Sequence, residues 1–454
     1  MEEKIYDLIV VGGGPAGLAA VISAKQNGLK EVLVLERDSR AGGILLQCIH
    51  NGFGLHYFGE ELTGPEYAGR FVKQSQELNI ETKVNTMVLE IHKGNPIHEV
   101  VAINSTDGLM CLKTKTIALA MGCRERTRGA LVIPGTRPAG IFTAGSAQRF
   151  VNIDGYLPGK KVVILGSGDI GLIMARRLTL EGAEVKLVCE IMNYSAGLAR
   201  NMTQCLENFN IPLKLSTTIT QIHGTERVTG VTIAKVDEHR KPIPGTEEYI
   251  ECDTVLLSVG LIPENEVSIA AGVTIDSITS GPSVNQFMET SLPGIFACGN
   301  SVHVHDLVDF VTEESLLAGK CAADYVKAQN STEQSSEKKT APTIISVTPG
   351  NRVRYTVPQR LDLIPTSDAV KNKSENNTTE NDEKIRIMFR STDVYRSITV
   401  TVMAGTKLLT QQKKRIVRPG EMQTVEIKAT DVQELISSPQ PITVSIEMPE
   451  DSID

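Results

Sequence analysis

Two patterns of apolar and polar residues divide the chain. Up to about residue 328 the apolar residues gather in short runs: LIVV at 8–11, VLVL at 32–35, TIALAMG at 116–122, KVVIL at 161–165, VKLVC at 185–189 and TVLLSVG at 254–260. Runs of this length bounded by glycine predict strands buried on both faces, as in a parallel sheet covered by helices. Between them, a helix is expected over roughly residues 64–78, then the strands VNTMVLEIH, EVVAIN and LMCLK, with turns at 93–96 and 105–108. A second meander is expected at 215–222, 228–236 and 248–251, followed by a strand at 294–298, a Gly299-Asn300 turn and a long helix.

Beyond residue 341 the runs TIISVTP, RVRYTVP, KIRIMF, SITVTVM, RIVRPG, QTVEIK and PITVSIE alternate apolar with polar residues. This pattern predicts about seven half-buried strands and a small sandwich. NSTEQSSEKKTA, at 330–341, reads as a linker, and the polar insertion at 367–382 as a loop without an apolar anchor. The expected class is α/β, with two nucleotide-binding domains and a β-sandwich-like third. The expected boundaries are 1–128 with 258–329 for the first domain, 129–257 for the second, 330–341 for the linker and 342–454 for the third.

The first apolar run leads into Gly12, Gly14 and Gly17 around Pro15 and Ala16, the G-x-G-x-x-G spacing of a strand-turn-helix that takes a pyrophosphate. Glu36, 24 residues after Gly12, ends the next run and is followed by Arg37; its carboxylate can accept from a ribose hydroxyl. The plan repeats. Gly166, Gly168 and Gly171, around Asp169 and Ile170, follow the run at 161–165, and Glu190 again stands 24 residues after the first glycine. The chain therefore reads as an internal duplication of one nucleotide-binding unit.

Composition narrows the partners. The chain has 454 residues, 41% hydrophobic and 22% charged, enough for sizeable cores. A net charge of −8 leaves no basic footprint for nucleic acid. No apolar run reaches the ~20 residues of a membrane span, and the polar start MEEKIYD is not a signal peptide. The eight cysteines never form C-x-x-C, which points to reduced cytoplasmic thiols and to no metal site.

Residues 8–328 resemble the two-domain flavoproteins of the pyridine-nucleotide oxidoreductase superfamily, with a glutathione-reductase-like three-layer fold. Four motifs carry the resemblance: the turn at Gly12–Gly17, the A-x-G at Ala120–Gly122, the turn at Gly166–Gly171, and SLPGIFACGN. It implies FAD on the first turn and NAD(H) on the second, with NADH preferred over NADPH because Glu190 would repel a 2′-phosphate. Gly43, Gly122, Gly260, Gly299, Asn300 and Asp306 join the cofactor-binding set on the same grounds. The superfamily motif usually ends in Gly-Asp, whereas this chain has the uncharged Asn300. In the disulfide reductases of the superfamily a C-x-x-x-x-C pair follows the glycines; here those positions are Leu45 and His50, with Cys48 out of register. A dithiol mechanism is therefore disfavoured.

GGILLQCIHNGFGLHYFGEELTGPEYA, MGCRER and CGNSVHVHDLVDFVTEE are similar to the flavin reductase encoded with glycerol-3-phosphate dehydrogenase in anaerobic glycerol use, and to subunits of sarcosine oxidase, opine oxidases and hydrogen cyanide synthase. That branch implies an NADH oxidoreductase working with a dehydrogenase partner subunit, or else a flavin-bearing subunit of an amine or amino-acid oxidising complex. Cys48, His50, His303 and His305 are the catalytic candidates. A histidine at the flavin is expected to exchange a proton near neutral pH. The β-rich segment offers a face for the partner or for a homo-oligomer.

Overall fold

The computed structural model describes residues 4–332, 341–363 and 384–449, so most of the expected linker and the whole insertion at 367–382 lie outside the described residues. The chain divides into two compact units: residues 1–46, 52–123 and 263–454, and residues 47–51 with 124–262.

In the first unit β1 (Ile5–Val11) runs into α1 (Pro15–Gln26) and β2 (Val32–Leu35). After α2 (Gly64–Glu77), β3 (Glu81–Lys83) joins the far edge of β2. The meander is β4 (Met87–His92), β5 (His98–Asn104) and β6 (Gly108–Leu119). Here LMCLK and TIALAMG are not separate strands. They form one 12-residue strand whose first half pairs antiparallel with β5 and whose second half pairs parallel with β1. Apolar side chains throughout Ile117–Leu119 let that half sit in the centre of the sheet. The sheet order is β3-β2-β1-β6-β5-β4.

The second unit repeats the plan. Here β7 (Ile141–Thr143), β8 (Lys161–Leu165), α3 (Asp169–Leu180), β9 (Glu184–Cys189) and β10 (Leu213–Lys214) precede a meander of β11 (Thr217–His223), β12 (Gly230–Lys235) and β13 (Glu248–Glu251). The return strand β14 (Thr254–Leu257) lies between β7 and β8, giving the order β7-β14-β8-β9-β10. The chain then re-enters the first unit through β15 (Ile295–Ala297), parallel to β6, and the 25-residue α4 (Val308–Thr332). No described helix is long and apolar enough to cross a membrane.

The C-terminal segment forms two sheets. β16 (Thr343–Pro349), β17 (Val353–Val357), β18 (Arg360–Leu363), β19 (Lys384–Ser391), β20 (Tyr395–Ala404), β21 (Lys407–Val417), β22 (Gln423–Lys428) and β23 (Ile442–Glu447) make a five-stranded sheet, β18-β16-β23-β20-β21, and a three-stranded one, β17-β19-β22. All seven expected strands are there. The additional one, β18, is too short and too charged (RLDL) to stand out by alternation. Val347, Phe389, Val400 and Ile442 belong to a core of the segment's own.

Yet Tyr355 and Val357 are buried in the core of the first unit instead. β18, the strand absent from the sequence pattern, makes polar ties there. Asp362 accepts from Asn285 Nδ2 at 2.7 Å, and Arg360 donates to the Thr290 carbonyl at 2.7 Å. Arg390 of β19, 9% exposed, donates to Tyr355 Oη (3.0 Å), the Pro419 carbonyl (2.9 Å), the Val304 carbonyl (2.9 Å) and Asp306 Oδ1 (2.5 Å). Removing one partner of such a buried pair strands the other charge. Arg390→Leu should therefore cost about 3–5 kcal/mol, read as a lower urea midpoint for the first unit. An unchanged midpoint would show that the contact carries no stability.

Candidate functional site

The first glycine turn is shaped by the chain at two of its three glycines. Gly12 has φ +105°, and a Cβ there would lie 2.4 Å from the Ala120 carbonyl oxygen. A Cβ at Gly17 would lie 1.8 Å from the Gly12 oxygen. Gly14 is different. Its φ of −75° suits any residue, and the nearest atom to a Cβ there is Gly43 Cα at 3.8 Å. Protein packing thus explains Gly12 and Gly17 but not Gly14, whose open surroundings leave room for a ligand to approach the backbone. Pro15 opens α1, and no side chain caps that helix, so its first N–H groups face the same space. Gly43, at φ +61°, lies so close that its own Cβ would come within 2.8 Å of Gly14 Cα. Ala16 is buried under the turn and Arg37 is exposed.

Glu36 ties the turn together. Its carboxylate is buried and accepts from Gly13 N and Asp38 N, both at 2.7 Å.

The second turn has the same construction. A Cβ at Gly166 (φ +99°) would lie 2.0 Å from the Ser258 carbonyl oxygen, and one at Gly171 would lie 2.8 Å from the Gly166 oxygen. Gly168, with φ −65°, meets nothing nearer than Ser258 Oγ at 3.4 Å. Glu190 accepts from Ser167 N (2.9 Å), Ser167 Oγ (2.7 Å) and Met192 N (3.0 Å). Each unit therefore holds a turn whose middle glycine is spare for packing, beside a buried carboxylate fixed at the end of the neighbouring strand. Asp169 is occupied differently. Its Oδ1 accepts from Leu198 N (2.8 Å) and Asn201 Nδ2 (2.6 Å), which secures the segment after Glu190. Ile170 packs against the apolar core of the second unit. Gly122 and Gly260, at φ +73° and +100°, close the returning runs and accept from Glu264 N and Arg126 N, both at 3.0 Å.

The four catalytic candidates fall in different units. Cys48 and His50 belong to the second, whereas His303 and His305 belong to the first. Cys48 Sγ lies 3.7 Å from Gln148 Oε1, and burial pushes its thiol up to about 12, away from the thiolate that redox chemistry needs. His50 Nδ1 faces the Asn51 carbonyl at 3.0 Å, and burial lowers its pKa. His303 does not meet the expectation of proton exchange near neutral pH. Burial, aided by His305 beside it, brings it down to about 4.

Between β15 and α4 the chain makes a loop locked from both sides. Gly299 N donates to Glu314 Oε1 at 2.7 Å, and Asn300 Oδ1 accepts from His305 N at 3.0 Å. Asn300 Nδ2 lies 3.6 Å from Cys123 Sγ. Asp306 takes Arg390 on one oxygen and Met422 N, at 2.5 Å, on the other, so its carboxylate is committed to the C-terminal segment. Three residues not among the sequence candidates complete the region. Glu314 is fully buried beside both histidines, and although burial works to raise its carboxyl, His305 and His303 hold it down at about 2. Asp309 accepts from Gly54 N (3.2 Å) and Tyr57 N (2.8 Å), pinning the irregular glycine-rich and aromatic stretch to α4. Arg390 is the third. For the two acids a signal existed, since both lie in the stretch CGNSVHVHDLVDFVTEE that carries the resemblance.

The profile of the pyridine nucleotide-disulphide oxidoreductase family matches residues 6–323. A subunit of the opine oxidase of Agrobacterium tumefaciens is 24% identical over 73% of this chain and 68% of its own length. A thioredoxin reductase of Mycolicibacterium smegmatis is 27% identical over 71% of this chain and 95% of its own. The crystal structure of T. acidophilum thioredoxin reductase superposes with a TM-score of 0.59 at 24% identity, covering 72% of this chain and 100% of that one, and so has the same fold.

Two substitutions separate packing from ligand contact. Gly14→Leu should leave a folded protein that has lost its bound dinucleotide, while Gly12→Leu should fail to fold because of the Ala120 carbonyl. Retention of a full complement of dinucleotide in folded Gly14→Leu would refute the assignment of this turn. With the Cys48 thiol near 12, titration from pH 6 to 9 should develop no thiolate absorbance from this residue, and alkylation of Cys48 should stay slow across that range.

Proposed function

The chain belongs to the pyridine nucleotide-disulphide oxidoreductase family, an FAD-dependent oxidoreductase family that uses NAD(P), and on that premise we propose that it is an NADH oxidoreductase of the non-disulfide type, passing electrons to or from a dehydrogenase partner. The observation that carries this reading is the second glycine turn. Gly168 has no packing reason to be glycine and Glu190 is held ready beside it, so the nicotinamide site keeps its full construction. When both cofactors are bound they supply hydride exchange between nicotinamide and flavin. The residues of the chain bind and orient them: N–H groups at the two turns for the pyrophosphates, and Glu36 and Glu190 for the ribose hydroxyls.

The choice against disulfide chemistry rests on the thiols. No disulfide joins any of the eight cysteines, and burial raises Cys48 to about 12. Leu45 and His50 stand where the redox pair would be. The partner we propose is of the kind that oxidises glycerol 3-phosphate, with a cytoplasmic setting. A second reading is favoured by the likeness to a protein named as one subunit of an opine oxidase: the chain would then be the flavin-bearing subunit of an amine- or amino-acid-oxidising complex. Homo-oligomer formation is compatible with either.

Anaerobic mixing with NADH tests the reading directly. The flavin should bleach, faster with NADH than with NADPH at matched subsaturating concentrations, and Glu190→Gln should narrow the difference. Equal rates for the two nucleotides in the unmodified protein would remove Glu190 from the choice. Bleaching followed by oxidation with a disulfide substrate would overturn the non-disulfide assignment, and reoxidation by a glycerol-3-phosphate or an amine dehydrogenase preparation would separate the two partner classes.

A further inference from the structure

His303, His305 and Glu314 bring three metal-ligating atoms within 4.8 Å of one another in the interior of the first unit. We propose that this cluster is a site for a first-row divalent cation, with Zn²⁺ the best match, bound by His303 Nε2, His305 Nε2 and Glu314 Oε2. The spacing fits. Glu314 Oε2 lies 3.0 Å from His303 Nε2 and 3.3 Å from His305 Nε2. Bonds of about 2.0–2.1 Å at tetrahedral angles separate donors by about 3.4 Å, which both histidine–carboxylate distances approach, while the two imidazole donors lie within 4.8 Å of each other.

Hydrogen bonding within the chain accounts for His303, whose Nε2 lies 3.0 Å from Glu314 Oε2, but not for His305, whose Nε2 has no hydrogen-bond partner. His305 Nδ1 faces only acceptors, the His303 carbonyl at 3.1 Å and Asn300 Oδ1 at 3.3 Å, so this nitrogen carries the ring proton. In the neutral ring Nε2 is then a lone pair. It is buried, lacks a hydrogen-bond partner, and points at a carboxylate oxygen that also carries lone pairs. Two electron pairs facing each other in a side-chain environment 1–3% exposed repel unless a proton or a metal ion stands between them. A metal ion there meets a donor set of two imidazoles and one carboxylate, which suits zinc.

The surroundings hold the donors as a metal site's outer contacts do. The His303 carbonyl fixes the tautomer of His305, and Gly299 N holds the other oxygen of Glu314 at 2.7 Å. The loop carrying the histidines is clamped at Val304 and Asp306 by Arg390, and at Asp306 by Met422 N. A divalent ion with one carboxylate leaves a net charge of about +1 between Gly299-Asn300 and the start of α4. The C-terminal segment would then be part of the metal site's support.

The test is metal analysis of the purified flavoprotein, before and after dialysis against Zn²⁺ and removal of excess. About one zinc per chain is expected, with a zinc-edge absorption spectrum showing imidazole and oxygen neighbours and no sulfur. Glu314→Gln should lower the content at least tenfold, whereas changing the exposed His239 to Ala should not. Three results would each overturn the site: no zinc retained by the unmodified protein, a sulfur shell that moves the ion to cysteines, or full retention by folded Glu314→Gln. Because the spectrum is taken on the unmodified protein, failure of the variant to fold leaves the assignment testable.

Discussion

The structure depends on one repeated interaction, a buried carboxylate at the end of a strand holding the backbone of the neighbouring glycine turn. Glu36 grips Gly13 N and Glu190 grips Ser167 N, and in both copies the second oxygen takes the N–H two residues further along its own chain. Hydrogen bonds to a carboxylate are stronger than neutral ones and also fix direction. The turn is thereby set against the strand before any ligand arrives, and the helix N-terminus that follows it is aimed at one place. A pre-set turn spends no binding energy on its own ordering.

Each turn also rests on the returning strand of its unit. The Ala120 and Ser258 carbonyl oxygens approach Gly12 and Gly166 too closely to admit a side chain. The meander between the first helices and the returning strand therefore matters to the site, since it delivers that strand to the centre of the sheet. In the first unit one long strand, β6, does both tasks, with its edge half in the meander and its central half beside β1.

The C-terminal segment changes the picture of the first unit most. Read from its pattern it is a separate sandwich behind a polar linker, and most of its core is indeed its own. Its Tyr355 and Val357 nevertheless complete the core of the first unit, and its Arg390 reaches the loop that carries both histidines. A guanidinium can satisfy four acceptors in this way because its donors are arranged in a rigid fork. The segment is thus built into the region next to Gly299-Asn300, and any partner it receives would meet a surface already coupled to that loop.

By itself the sequence determined the two glycine turns, the carboxylates that close them, the α/β class and the β-rich end. These features are local: a turn, a run or an alternation is settled by neighbours along the chain, and Gly12, Gly166, Glu36 and Glu190 stand where spacing alone put them. The tertiary structure decided what the remaining polar side chains do. Asp169 and Asp306 carry charges that a motif reading assigns to cofactor, yet one secures Leu198 and Asn201 and the other receives Arg390 from 84 residues away. Glu314 and Asp309 are not among the candidates, because their partners are brought to them by β15 and by the irregular stretch at Gly54–Tyr57. No periodicity records such pairings. They exist only once separate strands and helices have packed and burial has made every unpaired charge costly.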